Sequence, residues 1–83
     1  MIIVSGKAKL APGGLVAVQK EMQALIAATR KEPGCIDYSF GADVTEPDSI
    51  LVLEYWESWE ALDAHVAQPH MAAWFAKLGE IGV

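Results

Sequence analysis

The two histidines of the chain, His65 and His70, are the residues whose type suits proton transfer near neutral pH. A neutral imidazole in either position could act as a general base. On one continuous helix a five-residue step rotates by about 140°, so the two side chains would face different directions unless Pro69 breaks the helix between them. We predict that His65 or His70 is a catalytic base. Spacing does not say which, and each could equally be a structural histidine at a helix end.

We predict no metal site and no metal cofactor. The HxH and HExxH spacings that are typical of zinc sites do not occur in the sequence, and a third ligand would have to be Glu54 or Asp63. Cys35 is the one cysteine, so no disulfide can form within the chain. A glycine-rich phosphate loop is also missing, which argues against a bound nucleotide cofactor.

The chain has three tryptophans, two tyrosines and two phenylalanines, and we expect Tyr38, Trp56 and Trp74 to contact a flat aromatic substrate. The same residues would also make an ordinary hydrophobic core. Glu54 lies between Val52 and Trp56 on an apolar strand face, where an ionised carboxylate needs a partner. Lys7 or a donor from a second subunit could supply that partner, so Glu54 is a candidate for substrate binding or for an interface.

Composition narrows the possible partners. The chain has 83 residues and a net charge of −5, and its six basic residues are scattered, so we expect neither nucleic acid nor an anionic membrane as a partner. It has no apolar run of membrane-spanning length and no secretory leader, which predicts a cytoplasmic protein. Hydrophobic residues make up 53% of the sequence, more than a domain of this size can bury alone, and this favours a homodimer.

The periodicity of apolar residues predicts the order β-α-β-β-α in one domain over residues 1–83. Strands are expected at 2–10, 35–42 and 50–57, and helices at 15–31, 59–67 and 69–78. This order is the ferredoxin-like α+β fold without its final strand, an antiparallel sheet with helices on one face. Ser58 is the predicted N-cap of the helix at 59–67.

Apolar positions predict which side of each helix is buried. The inward-facing residues are expected to be Leu15, Val18, Met22, Leu25, Ile26 and Thr29 in the first helix, Trp59, Leu62 and Val66 in the second, and Met71, Trp74, Phe75 and Leu78 in the third. Gly79 and Gly82 are expected to end the last helix. The third strand is apolar on both faces, so we expect a second copy of the chain to cover the face that the helices leave open.

Two motifs and one turn carry a resemblance to a known family. The sequence Leu53-Glu54-x-Trp56-Glu57-Ser58, the sequence Ala64-His65-x-x-x-Pro69-His70 and the turn Glu32-Pro33-Gly34-Cys35 resemble the antibiotic biosynthesis monooxygenase family, most closely its quinol monooxygenase branch. The likeness extends over nearly the whole chain.

The resemblance implies a dimeric α+β barrel, in which the sheets of two subunits face each other, and a pocket between each sheet and its own helices. It implies oxygenation of a quinol or polyphenol by dioxygen without metal, flavin or haem. His65 or His70 would be the base, Trp56 a wall of the pocket and Tyr38 a hydrogen-bond donor. Relatives continue past Val83 into a fourth strand, which this sequence lacks.

The same motifs are compatible with two other functions. A related protein isomerises a small dicarbonyl signalling metabolite and shares the two histidines around the same proline, so these histidines do not distinguish an oxygenase from an isomerase. A non-catalytic, ligand-binding dimer is the third possibility. Haem degradation is disfavoured, since the members of the wider superfamily that degrade haem use an Asn, Trp and His triad, and the corresponding positions here are near Gly6, His65 and Phe75.

Overall fold

The computed structural model describes residues 1–81 and confirms the predicted α+β fold. In this part of the chain the strands are β1 (Ile2–Lys9), β2 (Cys35–Ala42) and β3 (Ser49–Trp56), and the helices are α1 (Gly14–Ala17), α2 (Gln19–Arg30), α3 (Trp59–Val66) and α4 (Pro69–Ile81). The strands form an antiparallel sheet in the order β1-β3-β2. β3 is therefore paired on both sides.

Strand alternation gives the sheet one face that packs against the helices and one that does not. Val4, Glu54 and Tyr38 lie side by side on the packed face, one from each strand. The core combines this face with the inward sides of α2 and α4, and its buried hydrophobic residues are Leu10, Val18, Met22, Leu25, Tyr38, Ile50, Trp56, Met71 and Trp74.

The long helix predicted at 15–31 is in fact two helices, α1 and α2, which meet at Val18. Val18 leaves helical geometry, with φ −108° and ψ 11°, yet its side chain is fully buried as predicted. α1 is set by Asp48, whose carboxylate accepts hydrogen bonds from the backbone amides of Gly13 and Leu15. A side chain distant in sequence therefore fixes the first helical turn, which local periodicity could not reveal.

The buried faces predicted for α3 and α4 were wrong at three positions. Trp59, Val66 and Phe75 are more than half exposed. In β2 a β-bulge between Cys35 and Asp37 interrupts the strand alternation, and Ile36 is exposed. The helix α3 docks through Leu62, as predicted, and also through Ala61 and the polar His65, which counting apolar residues alone could not predict.

Helix ends were predicted in part. Ser58 caps α3 as expected, with its hydroxyl accepting a hydrogen bond from the amide of Ala61. α4 runs through Gly79 to Ile81, so Gly79 does not end it. Packing of Leu78 against the core outweighs the small helix penalty of one glycine. Gly82, the other predicted stop, lies outside the described residues.

Gly34 allows the turn between α2 and β2 to approach α3 closely. Its φ is +82°, a conformation that residues with a side chain rarely adopt, and a methyl group on it would lie 2.5 Å from the Cβ of Ala61. The Gly34 carbonyl also accepts a hydrogen bond from the amide of Glu57, just before α3. This glycine therefore sets the distance between the α2–β2 turn and α3.

Replacing Gly34 with alanine is expected to lower the free energy of unfolding by more than about 2 kcal/mol, because left-handed backbone strain adds to the overlap with Ala61. Chemical denaturation would measure it. The double variant G34A/A61G should recover part of the loss by removing the overlap. Gly79→Ala, in a helix with open space around it, is the control and should be neutral or stabilising. Equal stability of G34A and G79A would contradict the close approach.

Candidate functional site

The side chain of Glu32, in the turn between α2 and β2, contacts the side chains of His65 in α3 and His70 in α4. One carboxylate oxygen of Glu32, Oε2, lies 2.9 Å from Nδ1 of His65 and 2.7 Å from Nε2 of His70. The side chains of His65 and Glu32 are 1% and 8% exposed, and that of His70 is 25% exposed. The site is therefore a largely buried carboxylate that two imidazoles share.

The break between α3 and α4 brings the two histidines together. The backbone closes a turn there, with the amide of Gln68 donating to the carbonyl of His65 and the amide of Met71 donating to the carbonyl of Gln68. Pro69 then begins α4. The direction change cancels the rotation that separates the two side chains on a continuous helix, and their rings lie 6.2 Å apart between centroids.

The shared carboxylate determines which nitrogen of each ring carries the proton. An ionised carboxylate only accepts hydrogen bonds, so Nδ1 of His65 and Nε2 of His70 act as donors. In a neutral His65 this leaves a lone pair on Nε2, which is buried and has no hydrogen-bond partner among the described residues. The arrangement of carboxylate, imidazole and free lone pair is what orients a histidine for general-base catalysis.

His65 lines a cavity of about 460 Å³ between the sheet and helices α3 and α4. The lining is mostly apolar and aromatic, and its polar members are Tyr38, Glu54, Asp63 and His65. Tyr38 and Trp56 pack on the His65 ring at centroid distances of 5.3 Å and 4.7 Å. The volume suits a small aromatic molecule.

Glu54 finds its partner within its own strand. Its Oε1 accepts a hydrogen bond of 2.9 Å from the indole nitrogen of Trp56, and both side chains are buried. The predicted partner Lys7 is on the other face of the sheet, where it pairs with Asp43 and Glu46. Hydrogen bonds from Thr45, and then from Lys7, hold the pKa of Asp43 well below its usual range.

Tyr38 stays protonated in this environment. Burial first, and then the nearby carboxylates of Glu54 and Glu32, raise the pKa of its phenol well above the usual value. Tyr38 lines the same cavity as His65. It can therefore donate a hydrogen bond to an oxygen atom of a ligand at any physiological pH.

The other predicted site residues occupy different places. Trp56 is fully buried and is not among the described residues that line the cavity of His65. It packs against the His65 ring and donates a hydrogen bond to Glu54. His70 lines a second cavity, of about 330 Å³, between α2 and α4. Trp74 contributes to the walls of both cavities.

Glu32 is the site residue that the sequence interpretation missed. It belongs to the turn Glu32-Pro33-Gly34-Cys35, which was used only for its resemblance. The pairing of Cys35 with Trp56 in the sheet places this turn beside the end of β3, from which α3 begins. The strand order would therefore have indicated that a carboxylate in this turn lies near α3.

The fold and the site together define a small α+β protein with a buried histidine–carboxylate pair beside an aromatic cavity. The model of the family described as "Antibiotic biosynthesis monooxygenase" matches residues 1–77. The chain belongs to this family.

Individual relatives agree with this assignment. An uncharacterised Synechocystis protein, sll1783, is 41% identical over 69 residues, which cover 83% of this chain and 47% of that protein. The Escherichia coli protein named "Probable quinol monooxygenase YgiN" is 35% identical over 66 residues, which cover 70% of this chain and 64% of its own length. The chain thus spans less than two thirds of these two relatives.

Solved structures show the same fold. A conserved protein from Methanosarcina mazei superposes with a TM-score of 0.87 at 30% identity, over 95% of this chain and 78% of that one. A Deinococcus radiodurans protein superposes with a TM-score of 0.90 at 25% identity, over 98% of this chain and 80% of that one.

None of the helices in residues 1–81 is long and apolar enough to cross a membrane.

Replacing Glu32 with glutamine is expected to release His65 from its single tautomer, because an amide can donate as well as accept. Ring ¹⁵N chemical shifts would show a protonated Nδ1 and a bare Nε2 in the wild type, and a mixture in the variant. Glu60→Gln, on the exposed side of α3, is the control and should keep the wild-type spectrum. If His65 gave the same shifts in the Glu32 variant, the carboxylate would not set the tautomer.

Proposed function

We propose that this protein is a cofactor-independent monooxygenase that oxidises a small quinol or polyphenol with dioxygen. The observation that carries the proposal is the buried His65, whose Nδ1 donates to Glu32 and whose Nε2 has no partner within the described chain. The name of the E. coli relative, a quinol monooxygenase, supports the choice of substrate class. Family membership alone would not, since one fold hosts many activities.

In the proposed reaction the substrate supplies the electrons. His65 takes a phenolic proton through Nε2, and the resulting quinolate is electron-rich enough to reduce dioxygen, which forms a peroxide at a ring carbon beside the oxygen. The protonated His65 returns its proton to that peroxide. The ring carbon that carries the peroxide then loses its hydrogen while the O–O bond breaks. This step releases water and leaves a carbonyl group on that carbon. The sum is quinol plus O₂ giving a hydroxyquinone plus H₂O, so no external reductant is needed.

The cavity walls suit this sequence of steps. Tyr38, held neutral by its surroundings, can donate a hydrogen bond to the substrate oxygen as negative charge develops there. Glu54 can accept a hydrogen bond from a second hydroxyl group on the ring, since Trp56 occupies only its Oε1. Trp74 and Phe40 provide apolar walls that exclude water from the peroxide.

His70 has a supporting role in this proposal. It does not line the cavity that contains His65, but its Nε2 donates to the same Glu32 oxygen. This second hydrogen bond holds the Glu32 carboxylate in one orientation, and the carboxylate in turn holds the orientation of the His65 ring. His70 is therefore a positioning residue and His65 the base.

Oxygen uptake by the protein with a panel of quinols and polyphenols, measured after chelator treatment, is the direct test. The wild type should consume about one O₂ per substrate oxidised. His65→Asn should lower kcat by about 100-fold or more, the contribution typical of a general base. His70→Asn should lower it less, because its effect passes through Glu32.

Thermal unfolding of each variant provides the control, since a folded but inactive His65→Asn protein separates loss of the base from loss of structure. A wild-type rate in the His65→Asn variant would eliminate the proposed base. Turnover of a small dicarbonyl in the absence of oxygen would favour the isomerase instead. Binding of aromatic ligands with no turnover of either kind would favour a non-catalytic module.

We also propose that two copies of the chain pair through the open faces of their sheets. On this face Ile3, Leu51 and Leu53 are 57%, 44% and 38% exposed, although all three belong to the paired strands β1 and β3. A row of apolar side chains on a flat sheet is typical of an interface. The site lies on the opposite face, so pairing would leave the cavity of each subunit to its own helices.

Leu53→Glu is expected to convert the dimer to a monomer, because it places a charge in the middle of the apolar face. Sedimentation velocity would give the mass of each species. Val44→Glu, at a position that is 99% exposed in the β2–β3 turn, is the matched control and should remain a dimer. The proposed interface fails if L53E sediments as a dimer at the same concentration.

A further inference from the structure

We propose that Glu32, His65 and His70 form a binding site for a divalent transition metal ion of the zinc class. Each residue offers one ligand atom, and the three atoms, a carboxylate oxygen and two imidazole nitrogens, all lie within 4.8 Å of one another. Two histidines and one glutamate, with a fourth position left for water, are a common ligand set for zinc.

The distances require only small side-chain movements. Ligand atoms around a tetrahedral zinc ion lie about 3.3 Å apart, given bonds of about 2.0–2.1 Å. The two contacts to Glu32 Oε2 are 2.9 Å and 2.7 Å, so they would lengthen by about half an ångström, while the two nitrogens would approach each other. The ion would replace the two hydrogen bonds that now join these side chains.

The other carboxylates that the sequence suggested as a third ligand do not belong to this group. Glu54 Oε1 is occupied by the indole of Trp56, and neither Glu54 nor Asp63 is among the three clustered residues. The site also has a route from solvent. His70 is partly exposed and lines the cavity between α2 and α4, so an ion can enter without crossing the cavity of His65.

Metal binding would have a definite effect on His65, and this step rests on the proposed function. A metal ion on Nδ1 displaces the proton from that nitrogen, so in a neutral ring the proton moves to Nε2. Nε2 is then a donor and cannot take a proton from a phenol. The ion would therefore inhibit the oxygenase reversibly rather than assist it.

Titration of the full chain with ZnCl₂ by isothermal calorimetry tests the site independently of activity. We expect one ion per chain, and absorption bands typical of tetrahedral cobalt when CoCl₂ is used instead. Glu32→Gln and His70→Asn should each weaken Zn²⁺ binding by more than about 100-fold, beyond the 10–100-fold typical of groups that only support a ligand. His70 is partly exposed, so its variant is expected to fold.

Glu60→Gln, an exposed carboxylate on α3, is the matched control and should bind Zn²⁺ like the wild type. In ring ¹⁵N spectra, Zn²⁺ should move the His65 proton from Nδ1 to Nε2. Unchanged affinity in both E32Q and H70N, or an unchanged His65 spectrum at saturating Zn²⁺, would overturn the proposed site.

Oxygen uptake separates this inference from the proposed function. If quinols are oxidised, Zn²⁺ should inhibit the wild type at the concentration at which it binds, and H70N should need at least about 100-fold more. Binding without inhibition, or stimulation by Zn²⁺ or Fe²⁺, would overturn the inhibitory step. If no quinol is oxidised, the proposed function fails, while calorimetry and the ¹⁵N spectra still decide the metal site.

Discussion

A buried carboxylate is the constraint on which the functional half of this molecule depends. Glu32 loses most of its hydration in the fold, and an ionised carboxylate costs several kcal/mol to bury without partners. Hydrogen bonds to a charged group contribute about 1.5–3 kcal/mol each, so the two from His65 and His70 are of the size needed to offset that cost. Neither histidine could therefore be lost from this position without consequence for the α2–β2 turn.

The turn between α2 and β2 and the break between α3 and α4 place the two histidines where they can donate to Glu32. Gly34 lets the turn approach α3, so that Glu32 reaches Nδ1 of His65. The break before Pro69 redirects the chain, so that the next helix presents Nε2 of His70 to the same oxygen. A bent pair of helices therefore supplies two donors where one straight helix would supply one.

The sequence predicted the strands and the order of elements, because alternation in β1 and β3 and the glycine and proline breaks are local signals. It also identified His65, His70, Glu54 and Tyr38 as candidates. It did not predict the break at Val18, the bulge at Ile36 or the inward position of Ala61 and His65 on α3. These depend on contacts between distant residues, such as Asp48 with Gly13 and Ala61 with Gly34. Glu32 was missed for the same reason, since its partners lie more than thirty residues away.

The electrostatics of the cavity also limit what it can bind. Glu54 and Asp63 line it together with His65, and no lysine or arginine is among the lining residues described. Lys7, one strand away from Glu54, faces the opposite side of the sheet and is held by Asp43 and Glu46. An anionic ligand would meet two carboxylates without a compensating cation among the described lining residues. A neutral molecule that donates hydrogen bonds, as a quinol does, can use the same carboxylate and imidazole as acceptors, and this difference favours the oxygenase over the isomerase.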